Sequence, residues 1–257
     1  MTQHLHSHLE QLVGALMDDT RGAPIDSPPA LAQVEPEQCA VAVVDVDGSV
    51  TSAGDDGAEF TIQSISKALA YAVALEELGF DEVHRFVDVE PSGEAYHVIE
   101  VEDSSGRPNN PMINAGALVV HSLIPGGDAG NRFEHLLSWF SRLAGRELSV
   151  DETVYESELA LAHRNLAIAH LLRAENDLPD TPHDVVAGYT RQCAIRVTAV
   201  DLAVMGATLA SGGRQPVTGE RIFSPSVVRQ TLSVMLTCGM YDDAGDWVSS
   251  VGVPAKS

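Results

Sequence analysis

The sequence predicts a mixed α and β chain in two parts: an antiparallel sheet flanked by helices, and a mostly helical domain. Three observations carry this. Cys39 to Val46 is β-branched and almost wholly apolar, Asp47-Gly48 is a two-residue turn signal, and Val50 to Ala53 returns, which reads as a hairpin. Gln63-Ser64-Ile65-Ser66-Lys67 opens an apolar-periodic run and sets a serine and a lysine one helical turn apart. Beyond Asn114 the pattern is helix after helix.

Taken in order, Leu5, Leu9, Leu12, Val13 and Leu16 predict a first helix. Its His4, His6 and His8 are spread around that helix by their i, i+2 spacing, so no metal site is expected there. Arg21 to Gln38, rich in proline and small residues, reads as a wrapped connection. The hairpin is marginal alone and calls for further strands. A helix from about Ser64 to Leu78 places Ser64, Lys67 and Tyr71 on one stripe and Ile65, Leu69, Ala72 and Val73 on an inward one, and Gly79 closes it. Val83 to Pro111 is irregular, with turns at Glu90-Pro91-Ser92-Gly93 and Pro108-Asn109-Asn110-Pro111. Helices are then expected over Ala115 to Leu123, Phe133 to Ala144, Asp151 to Ala160, Ala167 to Arg173 and Pro182 to Cys193. Thr198 with Asp201 makes a capping box for a helix to Ala210, and Ser224-Pro225 opens another. Asp242, Asp243 and Asp246 read as a solvated acidic turn.

With 257 residues and 44% hydrophobic content, the chain can bury a sizeable core. A formal charge of −22 argues against nucleic acid or an anionic membrane as partner, because phosphate binding needs clustered cations. No apolar run approaches the ~18 residues that span a bilayer, and the first residues show no basic segment followed by an apolar one, so a cytoplasmic protein is expected. Cys39, Cys193 and Cys238 are far apart and odd in number, which suits buried thiols better than a disulfide framework or zinc site.

The serine and lysine carry chemistry. A hydroxyl is a poor nucleophile until a neighbour takes its proton, and a lysine can do so once burial holds it neutral. Of the 15 basic residues only Lys67 and Lys256 are lysines. Arginine stays protonated and cannot serve as a base, so a lysine retained at this spacing points to that role.

A hairpin, a Ser-x-x-Lys helix, a mostly helical middle and a late Lys256-Ser257 resemble the two-part architecture of the β-lactamase and penicillin-binding proteins, with the late lysine expected on a strand facing the nucleophile. The Ser-Asp-Asn element of β-lactamases and peptidases is absent. Several motifs together resemble the serine-dependent glutaminases, which share that fold: Phe60-Thr61-Ile62-Gln63-Ser64-Ile65-Ser66-Lys67, Glu90-Pro91-Ser92-Gly93, Asn110-Pro111-Met112-Ile113-Asn114-Ala115-Gly116-Ala117, Arg164-Asn165-Leu166-Ala167-Ile168-Ala169, Thr237-Cys238-Gly239-Met240-Tyr241-Asp242 and Pro254-Ala255-Lys256-Ser257.

The resemblance implies hydrolysis of L-glutamine to L-glutamate and ammonia, without a cofactor or metal. Ser64 would be the nucleophile, Lys67 its base and Tyr241 a second catalytic hydroxyl. Ser64, Asn114, Glu158, Asn165, Tyr189 and Tyr241 would hold the substrate. Read locally, Asn114 and Asn165 could instead cap helices, Glu158 could be a solvated charge, and Tyr189 and Tyr241 half-buried core aromatics. The family tyrosine that reaches the site from the Gly22 to Leu31 segment is here Ser27. The expected division is residues 1–61 with 218–257 as the sheet-containing domain and 62–217 as the helical one. The family continues past Ser257 into a glycine-rich turn, further strands and a last helix. The resemblance therefore implies a sheet incomplete at the C-terminus, a second oxyanion donor from that turn, and assembly into a homo-oligomer, a dimer or tetramer. The alternatives are a non-catalytic or partner-completed form, or another Ser-x-x-Lys amidase or esterase.

Overall fold

The computed structural model describes residues 2–17, 19, 21–25, 27–93, 106–175, 178 and 180–257. Residues 94–105 of the irregular stretch expected from Val83 to Pro111 therefore lie outside the described residues. The helices are α1 (Thr2–Met17), α2 (Ser66–Leu78), α3 (Phe80–Val83), α4 (Asn114–Leu123), α5 (Ala129–Ala144), α6 (Glu152–Ala160), α7 (His163–Glu175), α8 (Pro182–Cys193), α9 (Ala199–Ala210), α10 (Pro225–Cys238) and α11 (Ala244–Ser250). The strands are β1 (Ala40–Val44), β2 (Val50–Gly54), β3 (Phe60–Thr61) and β4 (Arg196–Val197).

The hairpin pairs β1 and β2 antiparallel, with Val44 opposite Val50. Its turn is longer than the two residues expected. Asp45 N–H bonds Ser49 O at 3.0 Å, which leaves Val46, Asp47 and Gly48 as the loop. Gly48, at φ 88°, supplies the left-handed last position that a three-residue hairpin loop needs. Further strands do not join this sheet among the described residues; α1 packs on β2 and α9 on β1 instead. A separate two-residue pairing, β3 with β4, ties the segment before Ser64 to the end of α8.

α2 lies at the centre of the core and packs against α4, α5 and α10. The two-stripe expectation does not hold for it. Every residue from Ser66 to Leu75 is buried, including Lys67 at 1% and Tyr71 at 0% exposure. A helix surrounded on all sides has no polar face, so its polar side chains must find partners inside. Tyr71 finds His84, with its hydroxyl 2.8 Å from Nε2. Each fully buried Leu or Val of this helix stabilises the fold by roughly 1.5–3 kcal/mol.

The caps follow the sequence where it is explicit. Thr198 and Asp201 form the capping box of α9, and Pro225 opens α10 after Ser224. The acidic segment is solvated as expected but helical: Tyr241–Asp243 forms a short 3-10 helix that runs into α11, with Asp242, Asp243 and Asp246 exposed. Its carboxylates sit at the helix N-terminus, where the dipole favours negative charge.

Candidate active site

Two non-glycine residues among those described have left-handed backbone, Gln63 at φ 51° and Tyr241 at φ 56°. Such a conformation costs about 1–3 kcal/mol for a residue with a Cβ and persists only where the surroundings impose it. The two positions flank the same lysine. Gln63 immediately precedes Ser64, and together with Ile65 they form a 3-10 turn before α2 begins at Ser66. Ser64 therefore stands at the joint between strained backbone and helix, where it lines two cavities of about 540 and 360 Å³.

Lys67 donates to Asn114 Oδ1 at 2.7 Å and to Tyr241 Oη at 3.3 Å. Burial disfavours its charged form and brings its pKa down to about 8. Asn114 is the first residue of α4, yet caps nothing: its Oδ1 accepts from Lys67 and its Nδ2 donates to Asn165 Oδ1 at 3.1 Å. α4 has no side-chain cap; Asn110 orders the segment before it, its Oδ1 accepting from Met112 N at 3.0 Å and Ile113 N at 3.3 Å. The capping alternative for Asn114 is thereby replaced by a link from the lysine to the larger cavity.

That cavity is lined by Ser27, Gln63, Ser64, Asn114, Glu158, Asn165 and Tyr189, among others, so the residues singled out in the sequence converge on it. Glu158 is not a solvated charge. Its Oε1 accepts from Gln63 Nε2 at 3.0 Å, and burial raises its pKa against the opposing effect of that bond. Tyr189, 4% exposed, interacts through its hydroxyl with Ser64 and Cys193, and burial holds its pKa well above the ordinary phenol value. Ser27 does line this cavity, though with a hydroxyl far shorter than a phenol. Tyr241 lies across Ser64 in the smaller cavity.

Two participants carry weaker signals in the sequence. Lys256 sits in extended chain, not in a strand, and donates to Tyr241 Oη at 2.7 Å and Gly239 O at 3.2 Å. Burial first, and the nearby Lys67 second, bring its pKa down to about 6. The scarcity of lysine was its only independent trace. Gln63 bonds both Thr61 Oγ1 and Glu158 through one amide nitrogen, and nothing in its spacing announces that.

Chemically, the arrangement sets a lysine with its pKa lowered to about 8 three positions after a serine that shares a cavity with Tyr241, and a phenol contacted by two amines. Opposite stands a cavity with one carboxylate, Glu158, and three carboxamides, Gln63, Asn114 and Asn165, suited to a small zwitterion: the carboxylate for an ammonium, the amide donors for a carboxyl.

The family model described as "Glutaminase" matches residues 22–257. The chain is similar to the glutaminase of Corynebacterium glutamicum, 51% identical over 259 residues that cover 100% of this chain and 62% of the relative. A glutaminase of Clavibacter michiganensis is 46% identical over 97% of this chain and 76% of its own length. Among solved structures, Mglu in its native form superposes with a TM-score of 0.94 at 47% identity, covering 98% of this chain and 62% of that one. The probable glutaminase ybaS superposes with a TM-score of 0.95 at 35% identity, covering 100% and 84%. The chain thus spans about three-fifths of the length of the first curated relative.

Proposed function

We infer that this chain, which belongs to the glutaminase family, hydrolyses the side-chain amide of L-glutamine to L-glutamate and ammonia through an ester on Ser64. The observation that carries the reading is Lys67: buried, lowered to about 8, and held by Asn114 and Tyr241 three positions from Ser64.

Lys67 in its neutral form takes the Ser64 proton as Oγ attacks the amide carbon. The oxyanion gains a donor from the Ser64 backbone N–H, which opens towards the N-terminus of α2. Collapse of the tetrahedral intermediate breaks the carbon–nitrogen bond, with the leaving nitrogen taking a proton through Tyr241 and Lys67. Water then attacks the ester, gives its proton to the same relay and releases glutamate. Glu158 receives the α-ammonium; Asn114, Asn165 and Tyr189 receive the α-carboxylate. We place the enzyme in the cytoplasm as a homo-oligomer. Three free thiols suit a reducing compartment, and the hairpin presents Val43 and Val50 exposed beside edges unpaired among the described residues.

Ammonia release from glutamine, compared between this chain and Ser64→Ala, tests the reading. Release by the parent at least about 10³-fold above the variant is expected; equal rates overturn it.

A further inference from the structure

We propose that His121, Gln192 and Ser66 form a one-way chain of hydrogen bonds that holds Gln63 left-handed and so presents Ser64, making all three positioning residues. The proposal rests on the reading of Ser64 as the nucleophile. His121 lies on α4, Gln192 on α8 and Ser66 at the start of α2, with exposures of 1%, 1% and 0%.

The chemistry of each atom fixes its direction. Gln192 Oε1, 2.9 Å from His121 Nδ1, can only accept, so Nδ1 carries the hydrogen. Gln192 Nε2 can only donate, and does so to Ser66 Oγ at 2.9 Å. Ser66 Oγ, with that acceptance made, donates to Gln63 O at 2.7 Å. Burial excludes water as a substitute at the two links among His121, Gln192 and Ser66. His121 Nε2 is left without a partner and faces Gly188, where a Cβ would lie 2.2 Å away. The far end of the chain is therefore braced on α8 backbone.

A helical serine that bonds a carbonyl three residues back is ordinary behaviour. Two features separate this one. Its acceptor belongs to a residue at φ 51°, whose backbone needs an external hold. Its oxygen is itself fixed by Gln192 rather than free to rotate. Beyond the carbonyl, the same residue sends Nε2 to Glu158 at 3.0 Å. One peptide conformation thus aims both the nucleophile and the amide that steadies the cavity's carboxylate, and three elements of the helical core converge to set it.

The test is Ser66→Ala, which removes the side-chain donor to Gln63 O and leaves only the Ser66 backbone N–H that also bonds it. It should lower kcat for glutamine about 10- to 100-fold, the range expected of a small misplacement of a reacting group. Labelling of Ser64 by a fluorophosphonate should slow by a similar factor, and a crystal structure should show Gln63 out of its positive φ. Ser122→Ala is the comparison: it removes another buried hydroxyl, bonded to Val119 O at 2.7 Å, and should lower Tm while leaving kcat unchanged. Gln192→Leu cuts the chain one link earlier and should lower kcat less than Ser66→Ala. If the alanine variant does not fold, Ser66→Cys keeps a weaker donor in place and should fall between parent and a tenfold loss. Ser66→Ala, or Ser66→Cys in its stead, with parental kcat and labelling, or with Gln63 unmoved, overturns the proposal. A parent that labels at Ser64 but releases no ammonia refutes the glutamine reading alone, and the labelling comparison then decides the chain.

Discussion

Burial of Lys67 makes a quantitative demand on the rate. Its pKa falls from 10.5 to about 8, so at pH 7 about one molecule in ten carries the neutral amine, against roughly one in 3,000 for an ordinary lysine. Desolvation alone enlarges the basic form about 300-fold. If that form takes the Ser64 proton, kcat/KM rises with unit slope below pH 8 and levels off above it, gaining about tenfold between pH 7 and pH 9. Initial rates of ammonia release from pH 6 to 9.5, at fixed ionic strength and sub-saturating glutamine, measure this directly. Lys256, neutral above about 6, is already deprotonated through most of the window, so Lys256→Met should lower the rate but leave the limb near 8. Lys67→Arg should lose about 10²–10⁴-fold and flatten the profile, because a guanidinium does not deprotonate. A limb near 6 in the parent, or none between 6 and 9.5, would refute the assignment of Lys67 as base.

Glu158→Gln keeps the shape of the side chain but removes the charge that faces an ammonium, so KM for glutamine should rise about 10- to 100-fold with kcat within a few-fold; a change confined to kcat would place Glu158 in the chemistry instead. Gly188→Ala sets a methyl against His121 Nε2 and should destabilise the fold by about 1–3 kcal/mol in urea titration, with an unchanged midpoint showing that α8 yields without disturbing His121.

What was legible in the sequence divides along a physical line. Periodicity and capping are local, so the capping box of Thr198 and Asp201, the proline start of α10 and the span of α8 are read directly. Burial on all sides is not local. α2 carries an inward stripe that predicts one buried face, and only the packing of α4, α5 and α10 around it buries the other. The hairpin loop misleads for a related reason: Asp47-Gly48 fits a two-residue turn, while the Asp45 to Ser49 bond closes a three-residue one. In the site, Asn114 shows the same limit. An asparagine at a helix start looks like a cap, but α4 goes without a side-chain cap and Asn114 Oδ1 is taken by a lysine 47 positions away, a contact that no local pattern records.

The unread part is also where stability is spent. Lys67 held near 8 against 10.5 disfavours the fold by roughly 3 kcal/mol below pH 8, where both states are protonated; the unfolded chain binds more protons between 8 and 10.5, so this penalty fades as pH rises through that window. Left-handed Gln63 and Tyr241 add about 1–3 kcal/mol each. These costs lie within one turn of α2 and one turn before α11, and α2, which offsets them, is buried at every position from Ser66 to Leu75. A site that needs a neutral lysine and a bent nucleophile turn has to stand on a helix with no exposed face, because a half-solvated α2 would recharge the lysine and relax the turn. The loss of a polar stripe on α2 is therefore the physical condition for Ser64 and Lys67 to act as a pair.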